Sequence, residues 1–114
     1  MDQLIADVAA KTGVSTSVAR KGIAIIIAFL AREAPADKAA ALLDKLPGAR
    51  DLAKESTARG SGLMGVFGDL TGAGLGMSGV QQTARLFGAY ARKTAGDADV
   101  DAVIRSVPGL SQFV

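Results

Sequence analysis

Gly22-Ile23-Ala24-Ile25-Ile26-Ile27-Ala28-Phe29-Leu30-Ala31 is a run of ten residues without a polar side chain, set in a chain of 114. A helix that crosses a bilayer needs roughly 20 apolar residues, so this run is too short to span one. It is also too uniformly apolar for a surface helix with one wet face. The reading that remains is a helix buried on several sides, either at the centre of a bundle or against another subunit. Ser15 or Ser17 can cap its start with a hydroxyl, and the helix is expected to run to about Glu33.

Before this run, Asp2 to Thr12 places Leu4, Ile5, Val8 and Ala9 on one stripe, and Gly13 stands where a left-handed C-terminal cap belongs. That spacing predicts a short amphipathic helix. After it, Pro35 and Asp37 open a third helix, because Pro is tolerated in a first turn and Asp suits the positive end of the helix dipole. Pro47-Gly48 closes that helix, and the polar run Arg50 to Arg59 is expected to add one or two helical turns as a connector.

The chain then resembles itself. Shifted by 61 positions without a gap, Leu46-Pro47-Gly48-Ala49 falls on Val107-Pro108-Gly109-Leu110, and Gly13, Ser17, Ala28 and Ala34 fall on Gly74, Ser78, Ala89 and Ala95. Ile25, Ile26, Phe29, Leu42 and Leu43 meet Leu86, Phe87, Tyr90, Val103 and Ile104, so apolar character is kept where identity is not. The second half is therefore expected to hold a weak helix from about Leu63 to Thr71 and a glycine turn. A long helix capped by Ser78 then runs to about Thr94, and a last helix starting at Asp97 or Asp99 ends before Pro108-Gly109. The fold expected is an all-α single domain of two three-helix units, residues 1–49 and 62–114 with a connector at 50–61, related by an approximate twofold. Ile23, Ile26, Ile27, Leu30, Leu42, Leu43, Leu46, Phe87, Tyr90, Val103, Ile104 and Val107 are expected in or near its core.

Composition narrows the chemistry. The chain is 49% hydrophobic but only 4% aromatic, which favours closely packed helices over a sheet sandwich. It has no Cys and no His, which removes the Ser-His, Cys-His and usual zinc arrangements. No carboxylate pair is spaced for acid–base work, so no catalytic, metal or cofactor site is expected. A formal charge of +2 makes no strong electrostatic case for nucleic acid or an anionic membrane as partner. The N-terminus carries Asp2 and Asp7 with no basic region before an apolar stretch, so it does not read as a signal peptide, and a cytoplasmic location is expected.

Four patterns invite sharper readings. Gly60-Ser61-Gly62-Leu63-Met64-Gly65 matches the dinucleotide fingerprint in letters, yet Ala53 to Thr57 before it form no strand, so a flexible or closely packed glycine segment is the better reading. Asp97, Asp99 and Asp101 open like a calcium loop, but Ala102 and Pro108 stand where such a loop needs Gly and Glu. Gly68, Gly72 and Gly76 are spaced for close helix approach, but Asp69 interrupts the only stretch long enough to cross a membrane. Arg20, Lys21, Arg85, Arg92 and Lys93 decorate the two long helices too sparsely for a phosphate-binding face.

Two resemblances follow from quoted residues. Leu4 to Leu30, with Leu4-Ile5, Val8-Ala9, Lys11, Gly13, Ser15 and Ala19, resembles the helical hairpin that opens bacterial histone-like proteins of the HU and IHF type, whose β saddle and basic arms have no counterpart after Arg32. Ser78 to Leu110, ending in Pro108-Gly109-Leu110, looks like the small uncharacterised helical proteins of bacteria grouped as VcgC/VcgE; that resemblance implies an all-helical fold and no known activity.

The function expected is a non-enzymatic helical interaction or scaffolding module that self-associates into a homo-oligomer or takes a protein partner. The alternatives are a DNA-associated histone-like protein without the β arms, and a binder of an apolar ligand or membrane surface through the glycine-rich segment. In that segment, eight of the fourteen glycines fall between Gly60 and Gly79, and Met64, Phe67 and Met77 are expected to form an adaptable apolar contact surface.

Overall fold

In the computed structural model, which describes residues 1–56, 60 and 62–112, the chain is all helical, with no strand among the described residues. It forms α1 (Asp2–Thr12), α2 (Thr16–Glu33), α3 (Ala36–Leu43), α4 (Ala49–Ala53), α5 (Gly62–Gly72), α6 (Met77–Ala95) and α7 (Asp97–Ser106), and ends in a 3-10 turn, Leu110–Gln112.

Local chemistry explains most of these boundaries. Gly13 ends α1 in the left-handed region, φ 76°, and its N–H donates to the Ala9 carbonyl. Ser15 rather than Ser17 caps α2, its hydroxyl oxygen accepting from the Val18 N–H at 3.1 Å. α3 stops at Leu43, short of Pro47-Gly48. Leu46 is kept out of helical geometry by the following proline, and the chain tightens into turns in which Lys45 N–H donates to Leu42 and Leu46 N–H to Leu43.

One expectation needs correction. Ser78 does not cap α6; the cap is Gly76 in extended geometry, and Val80 N–H donates to its carbonyl. The reason is Leu75, which is buried against Gly22 and Gly79, so the helix must begin as soon as that anchor is set. The connector adds a short helix as expected: α4 starts at Ala49, one residue before the polar run, and buries Ala49 and Leu52. Residues 57–59 of that connector, and Ser61, lie outside the described residues.

The apolar run lies in α2, and the fold is laid around it. Gly22, Ile23, Ala24, Ile25, Ile27, Phe29 and Leu30 are buried, and α2 packs against α1, α3, α4, α5 and α6. The run's partner is therefore the rest of its own chain. Of the expected core, Ile26, Tyr90 and Ile104 are half-buried against the centre and the others are buried.

The helices follow a paired pattern. Shifted by 61 positions, the bounds of α1, α2 and α3 land within two residues of those of α5, α6 and α7. α1 packs on α2 and α6, α5 packs on α6 and α2, and α3 and α7 pack on each other. Gly48 and Gly109, each after a proline, are both left-handed, with φ 79° and 82°, and each leads into a short helical turn.

Candidate functional site

α5 is an unusual helix in that its sequence, GLMGVFGDLTG, carries large apolar groups on a glycine-rich backbone. Each interior Gly costs a helix about 1 kcal/mol relative to Ala, so packing has to hold this helix in place. Val66 and Leu70 are its buried anchors. A second hold comes from Gly60, whose N–H donates to Asp69 Oδ2 at 3.1 Å and whose carbonyl accepts from Arg32 Nη2 at 2.9 Å. Gly60 and Gly65 touch backbone to backbone, since a Cβ on Gly65 would lie 2.6 Å from the Gly60 carbonyl carbon. The glycines that spell the dinucleotide fingerprint thus serve a close crossing that ties α5 to α2.

Beneath α5 lies an apolar cavity of about 80 Å³. Val66, Phe67 and Leu70 form its roof, Ala84, Phe87 and Ala91 of α6 one wall, and Val103 and Ile104 of α7 another, with Ile26, Phe29 and Leu30 of α2 below. No polar atom is exposed inside it, and Gln81 is the single lining residue with a polar side chain. Apolar space favours apolar occupants: an engineered, enclosed cavity of about 150 Å³ accepts benzene or xenon.

The three residues expected as an apolar surface are divided by the fold. Phe67 is half-buried and lines the cavity, whereas Met64 and Met77 are 84% and 70% exposed and line none of it. Val80, Ala84, Phe87 and Ala91 share the face of the second long helix that the sequence spacing puts together, and all four line the cavity; what the sequence did not show is that a space is left there. The available signal was the register of Ala84 and Ala91, 61 positions after Ile23 and Leu30.

Several of the charged residues are paired. Arg20 Nε and Nη2 donate to the two carboxylate oxygens of Glu55 at 2.7 and 2.6 Å, joining α2 to the end of α4. Arg92 donates to Asp97 and Asp101 at 3.2 and 2.8 Å, and Lys45 donates to Asp99. The acidic series at the start of α7 is thus a set of ion-pair acceptors, and no group of metal-ligating residues forms among the described residues. Nor is any single described helix long and apolar enough to cross a membrane.

The hydrogen bonds from Arg20 hold the Glu55 carboxyl below its ordinary range and raise the Arg20 guanidinium further. A depressed carboxyl contributes stability above its unfolded pKa and loses it as pH falls through the folded value. Glu55→Gln is therefore expected to lower Tm slightly at pH 7, and the difference from the parent chain is expected to shrink at an acid pH where Glu55 is protonated in the folded chain. Thermal melts at both pH values check this; a difference that persists in acid would mean the charge of Glu55 is not what matters.

α5 combines low helix propensity with a void beneath it, and local opening starts at such elements. Its amides from Leu63 to Thr71 are expected to exchange before those of Ile23 to Leu30. Equal protection in the two segments, read by hydrogen-exchange mass spectrometry or NMR, would remove the mobile reading and leave a packed helix.

Comparisons with protein-family models, with curated proteins and with solved structures return no match, so the cavity is read from its own geometry.

Proposed function

We propose that this chain is a non-enzymatic binding module made of two tandem helical copies related by an approximate twofold, and that it binds an apolar group in the cavity beneath α5. The observation that carries this reading is a space of about 80 Å³ lined by apolar groups, with no charged residue among them, and roofed by the chain's most glycine-rich helix. A weakly built roof provides the way in. The paired helix bounds and the matching left-handed glycines support the two-copy reading. The all-helical fold is in keeping with the resemblance to VcgC/VcgE-type proteins. The DNA-associated reading loses support because Arg20 and Arg92 are already engaged by carboxylates.

Xenon tests the reading without presuming a ligand. Under xenon pressure the methyl resonances of Val66, Leu70 and Val103 are expected to shift, and those of Val8 and Leu52, outside the cavity lining, to stay. Unmoved cavity methyls would overturn the proposal.

Self-association is the second reading. The stretch that suggested it is covered within the chain, and its remaining support is the exposure of Met64 and Met77. Light scattering at about 100 μM decides it: a dimer mass supports the reading and a monomer mass rejects it.

A further inference from the structure

We infer that α5 is a latched lid that opens as one unit from its Gly60 end about a pivot at Gly72 and Gly74, and that Arg32 of α2 is its catch. The inference rests on the cavity reading above for what the opening admits. Gly60 travels with α5, because its N–H donates to Asp69 Oδ2 at 3.1 Å and its backbone abuts that of Gly65. Its carbonyl accepts from Arg32 Nη2 at 2.9 Å, so this bond ties the lid to the central helix. Leu63 gives the same end an apolar rest, since a Cβ on Gly109 would lie 2.7 Å from Leu63 Cδ1. The catch is exposed, where water weakens even a charge-assisted bond.

The far end is built differently. Leu75 is 2% exposed and sits so close to Gly22 that a Cβ there would lie 2.9 Å from Leu75 Cδ1. That burial fixes the chain beyond the lid. Between Leu75 and the body of α5 stand Gly72 and Gly74, the second at φ 121°, a region that residues with a Cβ rarely enter. A Cβ on Gly72 would meet nothing within 4 Å, so what glycine adds there is freedom to turn rather than room. The outer face of α5, with Met64, Gly68, Thr71 and Gly72, is exposed, whereas Val66 and Leu70 are buried beneath it. A helix anchored firmly at one end and caught by an exposed bond at the other opens at the catch.

The chain has no Cys, so a single introduced thiol is read alone. The test follows labelling by an aromatic disulfide of Val66→Cys, beneath the lid, and of Val8→Cys, fully buried in α1 and outside the cavity lining. Each is made in the full chain, alone and combined with Arg32→Met, which keeps the aliphatic stem and removes the donor, or with Glu33→Gln. Glu33 is the other partner of Arg32, at 3.3 Å, and its substitution leaves the Gly60 carbonyl untouched. Val66→Cys is expected to label at least about tenfold faster than Val8→Cys. Arg32→Met is expected to speed labelling of Val66→Cys by about fivefold, and to leave that of Val8→Cys and the amide exchange of Val80, beyond the pivot, within about twofold. Glu33→Gln is expected to change neither labelling rate. Leu70→Cys carries the test should Val66→Cys fail to fold. Equal labelling of the two thiols in the parent chain would mean that α5 opens only with the whole fold, and would overturn the lid. An Arg32→Met effect that is absent at Val66→Cys, shared by Val8→Cys or matched by Glu33→Gln would overturn the catch, and faster exchange at Val80 would overturn the pivot. A xenon shift without these responses defeats the lid and leaves the cavity reading standing, whereas these responses without a xenon shift support the lid and defeat the cavity reading.

Discussion

Ile27→Ala is expected to cost the fold about 3 kcal/mol and to lower Tm by on the order of 12 °C. Ile27 is fully buried at the centre of α2, the helix that five others cover. Truncation there removes three carbons and leaves a hole in a site where packing from several directions limits collapse. A domain of this size has only about 5–15 kcal/mol of stability to lose, so the effect is a large share of the whole. Urea unfolding measures it. Met64→Ala, at a residue 84% exposed, is the matched control and is expected to stay within about 0.5 kcal/mol of the parent. A loss at Ile27 no larger than that of the control would mean that α2 is not the structural centre.

The second large effect is a reversal of sign between glycines three residues apart on α5. Gly65→Ala is expected to destabilise by about 2 kcal/mol or more, although Ala is the better helix former. Its Cβ would lie 2.6 Å from the Gly60 carbonyl carbon and 2.8 Å from the Gly60 Cα. Those are backbone atoms, and Gly60 is held by Asp69 and Arg32, so retreat breaks two hydrogen bonds. Gly68→Ala meets nothing within 4 Å and is expected to stabilise by about 0.5–1 kcal/mol through propensity and a less disordered unfolded chain. Chemical denaturation of the two variants settles it. Stabilisation by both would show that Gly60 can move aside, and that its bonds to Arg32 and Asp69 do not lock the start of α5.

What could be read from the chain was whatever short-range chemistry controls. Gly13 and Ser15 act on bonds within four residues of themselves, so the end of α1 and the start of α2 were visible in the sequence. Gly76 took the place of Ser78 as a cap because Leu75, anchored on α2 some fifty residues away, fixes where that helix begins. The end of α3 at Leu43 and the start of α4 at Ala49 depended in the same way on turn geometry and on burial of Ala49 and Leu52.

The candidate site divides along the same line. Phe67 stood out in sequence because a large aromatic among glycines is conspicuous, and it lines the cavity. Met64 and Met77 stood out for the same reason and face solvent, since residue type says nothing about which side of a helix finds a neighbour. Ala84 and Ala91 were legible as part of one helix face with Val80 and Phe87, but not as the wall of a cavity, because a small residue becomes informative only when the atoms around it fail to close over it.

By itself, then, the amino-acid sequence determined an all-helical chain with a buried α2 and no His or Cys chemistry, because periodicity, capping and composition are local or additive properties. The tertiary structure alone decided that the apolar run is covered by its own chain, that Gly60 locks to α5, and that an apolar cavity lies beneath that helix. Each of these depends on how side chains from distant segments fill a shared volume, and that volume exists only once the helices have packed.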